Sequence, residues 1–89
     1  MSNESAEIQF PREWEYRLFC ESGMYESVRN SAEQCSAGMK LAGLQIEDGG
    51  VSGSGKYRSM RLTVNVNSKE EANDLGAALK NIAGVRFIL

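Results

Sequence analysis

The sequence predicts an α+β domain, a four-stranded antiparallel sheet with two helices on one face. Three observations carry this. Apolar and polar residues alternate from Glu13 to Glu21 and from Tyr57 to Asn67, the period of a half-buried strand. Two other stretches, after Ser22-Gly23 and after Ser68, repeat apolar residues every three or four positions, the period of a helix. The signals follow one another as strand, helix, strand, strand, helix, strand.

Residues 1–9 are polar and read as a frayed tail, leaving residues 10–89 as one domain. Pro11 pushes Phe10 towards an extended conformation just before the first strand. In that strand Trp14, Tyr16, Leu18 and Cys20 share one face; Glu13, Glu15, Arg17 and Glu21 share the other, with Phe19 as the exception. Ser22-Gly23 breaks the strand, and Ser22 is placed to cap the first helix. Met24, Val28, Ala32, Cys35 and Met39 form that helix's apolar stripe, with Tyr25 beside it and Gly38 near its end. Leu41 to Ile46 is a short strand candidate, and Asp48 to Gly55 reads as a flexible hairpin connection. In the third strand Met60, Leu62, Val64 and Val66 face the core, while Arg61, Thr63 and Asn65 face water. Ser68-Lys69-Glu70-Glu71 is a capping box. Ala72, Leu75, Leu79 and Ile82 then form a buried stripe, Gly84 stands where a glycine cap belongs, and Val85 to Leu89 is a final strand. Elements in this order suit the ferredoxin-like βαββαβ arrangement, which puts the first and third strands in the middle, in agreement with their being the longest and best patterned.

Composition narrows the function classes. With 89 residues and no histidine, the chain lacks the commonest general base and metal ligand. Cys20 and Cys35 fit neither C-x-x-C nor zinc spacing and read as structural thiols, so no metal or cofactor is expected. The formal charge is −2 and the pI is about 5.1, with the basic residues scattered. That argues against nucleic-acid backbone binding and against polybasic membrane attachment. There is no basic start with an apolar run, and no segment approaches ~20 apolar residues, so the expected location is the cytoplasm. No G-x-S-x-G occurs, and no carboxylate pair stands out. Glu70, Glu71 and Asp74 lie where they favour a helix N-terminus, and Glu26 and Glu33 are solvated helix positions. No catalytic residue is expected.

Two stretches remain as candidate ligand contacts. Gly50 to Lys56 spells G-x-x-x-x-G-K, but Tyr57 replaces the hydroxyl residue that holds Mg²⁺ in a phosphate loop. The stretch also runs into a strand rather than a helix. What survives is a Gly/Ser hairpin whose N–H groups and Lys56 can hold a small anion, with Ser52, Ser54, Gly55 and Lys56 as candidates. The second stretch is Ser22-Gly23, at the first strand-to-helix turn. In regulatory domains of this topology that turn often meets a small ligand at a subunit interface. The open sheet face offers Phe19 and Tyr57 for stacking on bases, beside the repelling Glu13, Glu15 and Glu21.

Phe10-Pro11 before the first strand, Ser52 to Tyr57 followed by Ser59 and an alternating strand, Asn67-Ser68 opening a helix, and the ending Val85-Arg86-Phe87-Ile88-Leu89 resemble the YbeD-like family. These are small bacterial proteins of unknown function. The resemblance spans about residues 8–89. Family members often carry Cys where this chain has Arg12, and a lysine of their Ser/Lys/Gly stretch is displaced here to Lys56. The resemblance implies a ferredoxin-like fold similar to ACT regulatory domains and no known catalytic activity. The expectation is a non-enzymatic regulatory or protein-interaction module. It would pair with itself through a sheet edge or a helix face, or with another protein, and bind a small metabolite. The alternative is an RNA- or ribonucleoprotein-associated module working through the open sheet face.

Overall fold

Alternation builds the two central strands. In the computed structural model, which describes residues 9–89, β1 (Arg12–Glu21) and β3 (Tyr57–Val66) pair antiparallel along their whole length, from Arg12 opposite Val66 to Glu21 opposite Tyr57. Residues 1–8 of the predicted tail lie outside the described residues. A register this long sends the alternating apolar residues of both strands to one face, with Phe19 and Tyr57 on the other, because a slip of one residue would turn all of them outward. Tyr16, Leu18 and Cys20 of β1 and Met60, Leu62, Val64 and Val66 of β3 are buried there.

β2 (Gln45–Val51) pairs with the outer edge of β3, and β4 (Val85–Ile88) with the outer edge of β1. The sheet order is β2-β3-β1-β4, all neighbours antiparallel, with the first and third strands central as expected. This is the ferredoxin-like α+β fold. Helices α1 (Tyr25–Gly38) and α2 (Lys69–Lys80) cover the apolar face. They contribute Tyr25, Val28 and Ala32, and Ala72, Leu75 and Leu79, to the core. Each fully buried Leu or Val is worth roughly 1.5–3 kcal/mol of transfer free energy. The Tyr16 hydroxyl reaches across the core to donate to the Ala72 carbonyl, and burial pushes its pKa up to about 12.

Four local readings are corrected. Ser22 does not cap α1. Ser22–Met24 form a single 3-10 turn, α1 begins at Tyr25, and Met24 at its N-cap makes no side-chain cap. The serine hydroxyl is used elsewhere, as described below. The buried stripe of α1 is also turned slightly from the predicted one: Tyr25 and Ser36 are buried, and Met24, Cys35 and Met39 lie at its margin. The second strand is not Leu41 to Ile46. It runs through Asp48-Gly49-Gly50, with a bulge between Asp48 and Gly50, and the true hairpin turn is residues 52–56. Gly84 does not end α2, which closes at Asn81 in ordinary right-handed geometry. Gly84 instead turns the chain into β4 at φ +99°, where a Cβ would stand 3.0 Å from the Met24 side chain. The second helix start is nearly as expected. Ser68 Oγ accepts from the Glu71 N–H at 3.1 Å, but the Glu71 carboxylate reaches back one residue further, to the Asn67 N–H at 2.8 Å.

Candidate functional site

Register brings the two candidate stretches together. Glu21 ends β1 opposite Tyr57, so the turn after β1 lies against the hairpin before β3. The Ser22 N–H donates to the Lys56 carbonyl at 2.9 Å, and the Ser22 hydroxyl donates to the Gly55 carbonyl at 2.7 Å. On the other side the Glu21 N–H donates to the Gly84 carbonyl at 3.1 Å, which stitches in the start of β4. The three joined segments enclose an open cleft of about 440 Å³, lined by Glu21, Ser22, Gly23, Gly55, Lys56, Tyr57 and Arg86.

Of the predicted contacts, Ser22, Gly23, Gly55 and Lys56 line this cleft; Ser52 and Ser54 do not. The two serines hold the hairpin turn itself. Ser52 Oγ accepts from the Tyr57 N–H at 3.2 Å and lies 3.4 Å from Ser54 Oγ, which in turn accepts from the Lys56 N–H at 3.4 Å. The Gly55 N–H donates to the Ser52 carbonyl at 2.9 Å. The loop therefore spends on itself the Gly55, Lys56 and Tyr57 amides that an anion nest would use. The side chains of Lys56 and Arg86 carry the positive charge of the cleft instead.

Arg86 stands 3.5 Å from the Glu21 carboxylate across the cleft. Lys56 has no carboxylate partner among the described residues. Arg86 and Glu21 offset each other, so the cleft's net positive charge rests on Lys56. A Cβ on Gly23 would meet no atom within 4 Å, so the space above it is open. Glu21 and Arg86 escaped the sequence reading. The signal that finds them is topological, because a central first strand puts its last residue beside the start of both its neighbours.

Two other features border the site. Below the hairpin, the Arg58 guanidinium lies 4.0 Å over the Tyr25 ring and bonds the Asp48 carboxylate. That hydrogen bond, and a second from the Gly50 N–H, hold the Asp48 carboxyl below its ordinary range. The Cys20 thiol donates to the Arg58 carbonyl at 3.4 Å, and burial pushes its pKa up. Cys20 and Cys35 are both free thiols. On the open sheet face Phe19 stacks on Phe87 with centroids 4.5 Å apart. Arg61 lies there between Glu15 and Glu47, at 4.0 and 3.5 Å.

Among the described residues no group of His, Cys, Asp or Glu is arranged to hold a metal ion. Nor, among those residues, is any helix long and apolar enough to cross a membrane.

Residues 5–89 match the family described as "Protein of unknown function (DUF493)", the family of the YbeD-like proteins. A comparison with curated proteins gives no match. Among solved structures, the solution structure of protein HP0495 from Helicobacter pylori superposes with a TM-score of 0.81 at 18% identity, covering 100% of this chain and 94% of that one. A second solution structure of HP0495 gives 0.66 at 18% identity, over 90% and 87% of the two chains. The C-terminal domain of the MgtC protein from Mycobacterium tuberculosis gives 0.64 at 17% identity, over 93% and 88%. At such identities the likeness is one of fold.

Proposed function

The chain belongs to the DUF493 family, whose function is unknown, and we propose that it is a non-enzymatic cytoplasmic binding module, regulatory or protein-interacting, that takes a small acidic or zwitterionic metabolite. The observation that carries this reading is the convergence of Ser22-Gly23, Gly55-Lys56 and Arg86 on one cleft. Segments distant in sequence are hydrogen-bonded into its walls, so a ligand there would contact three separate strand ends at once. It would bind only the folded chain and stabilise it. The Ser22 hydroxyl in the cleft donates to the Gly55 carbonyl rather than to a base, which fits binding rather than turnover. A second copy, or another protein, that covers the open side of the cleft would complete it.

A metabolite screen by thermal unfolding, with sedimentation to fix the oligomeric state, tests this. A cognate ligand at 100 times its Kd adds about 2.7 kcal/mol, which for a domain of this size raises Tm by roughly 10 °C or more. Lys56→Ala abolishes the rise. A screen of carboxylates, amino acids and phosphates that leaves Tm unmoved, on a protein that stays monomeric, refutes the reading.

The RNA-associated alternative has one observation in its favour, the stack of half-buried Phe19 and exposed Phe87 on the open sheet face. Glu13, Glu15, Glu21 and Glu47 weigh against it on the same face. Salt-sensitive retention on single-stranded RNA that Phe19→Ala weakens would support it.

A further inference from the structure

A second polar recess lies apart from the cleft, on the open face of the sheet. Arg17 of β1 and Arg61 of β3 are directly opposed across the central pair. Like charges placed so are unfavourable, and a sheet that keeps them needs something to offset them. Arg61 has Glu15 and Glu47. The Arg17 guanidinium has no carboxylate within 4.0 Å among the described residues, although the Arg17 N–H donates to the Leu89 O at 3.1 Å.

The next residues along the sheet are small. Ser59 of β3 lies opposite Phe19, and Gly49 is the extra residue of the β2 bulge beside it. The result is a notch of about 110 Å³ lined by Arg17, Gly49, Ser59 and Arg61, together with Met60, whose side chain is buried on the other face. That volume admits one carboxylate or phosphate group and little more. A Cβ on Gly49 would come 2.3 Å from Ser59 Oγ, so only glycine leaves the notch open with the serine hydroxyl where it stands. That hydroxyl bonds no other side chain among the described residues and is free to donate. Phe19 and Phe87 form an apolar shelf alongside.

We propose that the notch formed by Arg17, Gly49, Ser59 and Arg61 seats the oxyanion group, carboxylate or phosphate, of a small molecule whose flat apolar body lies on the Phe19–Phe87 shelf. The anion supplies the charge that Arg17 lacks and bonds two guanidinium groups and a hydroxyl, the kind of charge-assisted contact that fixes orientation. This site is independent of the cleft at Lys56 and stands or falls separately.

The test is amide NMR of the full chain titrated with inorganic phosphate and, separately, with acetate. Saturable shifts are expected at Arg17, Ser59 and Arg61, and the anion that saturates at lower concentration names the group. Arg17→Gln should weaken binding roughly tenfold or more, since one charge-assisted donor is lost. It leaves the fold intact because it relieves a like-charge pair. Gly49→Ala should do the same while keeping both arginines. Shifts that grow linearly without saturation, or that Arg17→Gln leaves unchanged, overturn the proposal. Shifts confined to Gly55, Lys56 and Arg86 overturn it too, while supporting the cleft. A single-stranded RNA that displaces phosphate from these amides at lower concentration replaces it with the RNA reading.

Discussion

Gly84→Ala should be among the most damaging single-methyl additions in this chain. At φ +99° the backbone of Gly84 lies where a side chain is strained, a penalty of roughly 1–3 kcal/mol. The new Cβ would also stand 3.0 Å from Cβ and Cε of Met24 and 3.2 Å from Cγ2 of Val28, which is buried in α1. Forcing those groups apart costs roughly 1 kcal/mol or more. The two effects together predict a loss of roughly 2–4 kcal/mol, a large share of the roughly 5–15 kcal/mol that holds a domain folded. Tm should fall by ~8 °C or more. Gly23→Ala is the internal control. Gly23 is not at positive φ, and its Cβ would meet nothing within 4 Å. It should change stability by less than about 0.5 kcal/mol. Urea unfolding of both variants, with unchanged m-values, gives the comparison. Equal effects of the two substitutions, or a loss below about 0.5 kcal/mol for Gly84→Ala, would refute the steric reasoning.

Ser22→Ala should cost about 1 kcal/mol. The damage should appear as faster hydrogen exchange at the Ser22 and Ser52 amides of the hairpin joint; faster exchange in the first turn of α1 would restore the capping role. Tyr16→Phe should remove an alkaline limb of the stability curve. Because the folded pKa is raised from 10.0 to about 12, Tyr16 contributes stability that is intact below pH 10 and is lost as pH rises towards 12, about 1.4 kcal/mol per pH unit. Denaturant titrations across that window should therefore fall more steeply for the parent than for Tyr16→Phe, and parallel curves would contradict the burial of the hydroxyl. In native protein a thiol reagent should modify Cys35 first and reach Cys20 only on unfolding, since Cys20 is fully buried with its pKa raised; rapid modification of both would contradict the core placement. Phe87→Ala should lose roughly 0.5–1.5 kcal/mol with its stacking partner Phe19, and a neutral result by urea unfolding would mean the shelf contributes nothing to the fold.

Legibility in the sequence followed the source of each element's order. β3 was plain because Met60, Leu62, Val64 and Val66 all bury on one face, so its period reports its environment. Ser68 was equally plain, since its cap is made within four residues of chain. β2 was misplaced because an edge strand takes its order from the backbone of its neighbour. Its Gln-Ile-Glu-Asp-Gly-Gly-Val run turns only Ile46 against the core. Ser22 misled for a related reason. Its hydroxyl had a nearby partner on paper and a better one thirty-three residues away, in the Gly55 carbonyl. The cleft was half visible: the small and cationic residues Ser22, Gly23, Gly55 and Lys56 could be named one by one. Their meeting, and the recruitment of Glu21 and Arg86, depended on the β1–β3 register and on β4 lying beside β1, neither of which any local window contains.

The bulge in β2 also bears on how this molecule can meet others. A straight outer strand is a row of unsatisfied donors and acceptors on which another chain can template itself. Here the row is broken at Gly49-Gly50, and the opposite margin of the sheet offers only the four residues Val85–Ile88. Neither margin presents a long regular ladder. Growth of the sheet from molecule to molecule is discouraged at both ends, and contacts made through side chains on the faces are the ones left open to a partner.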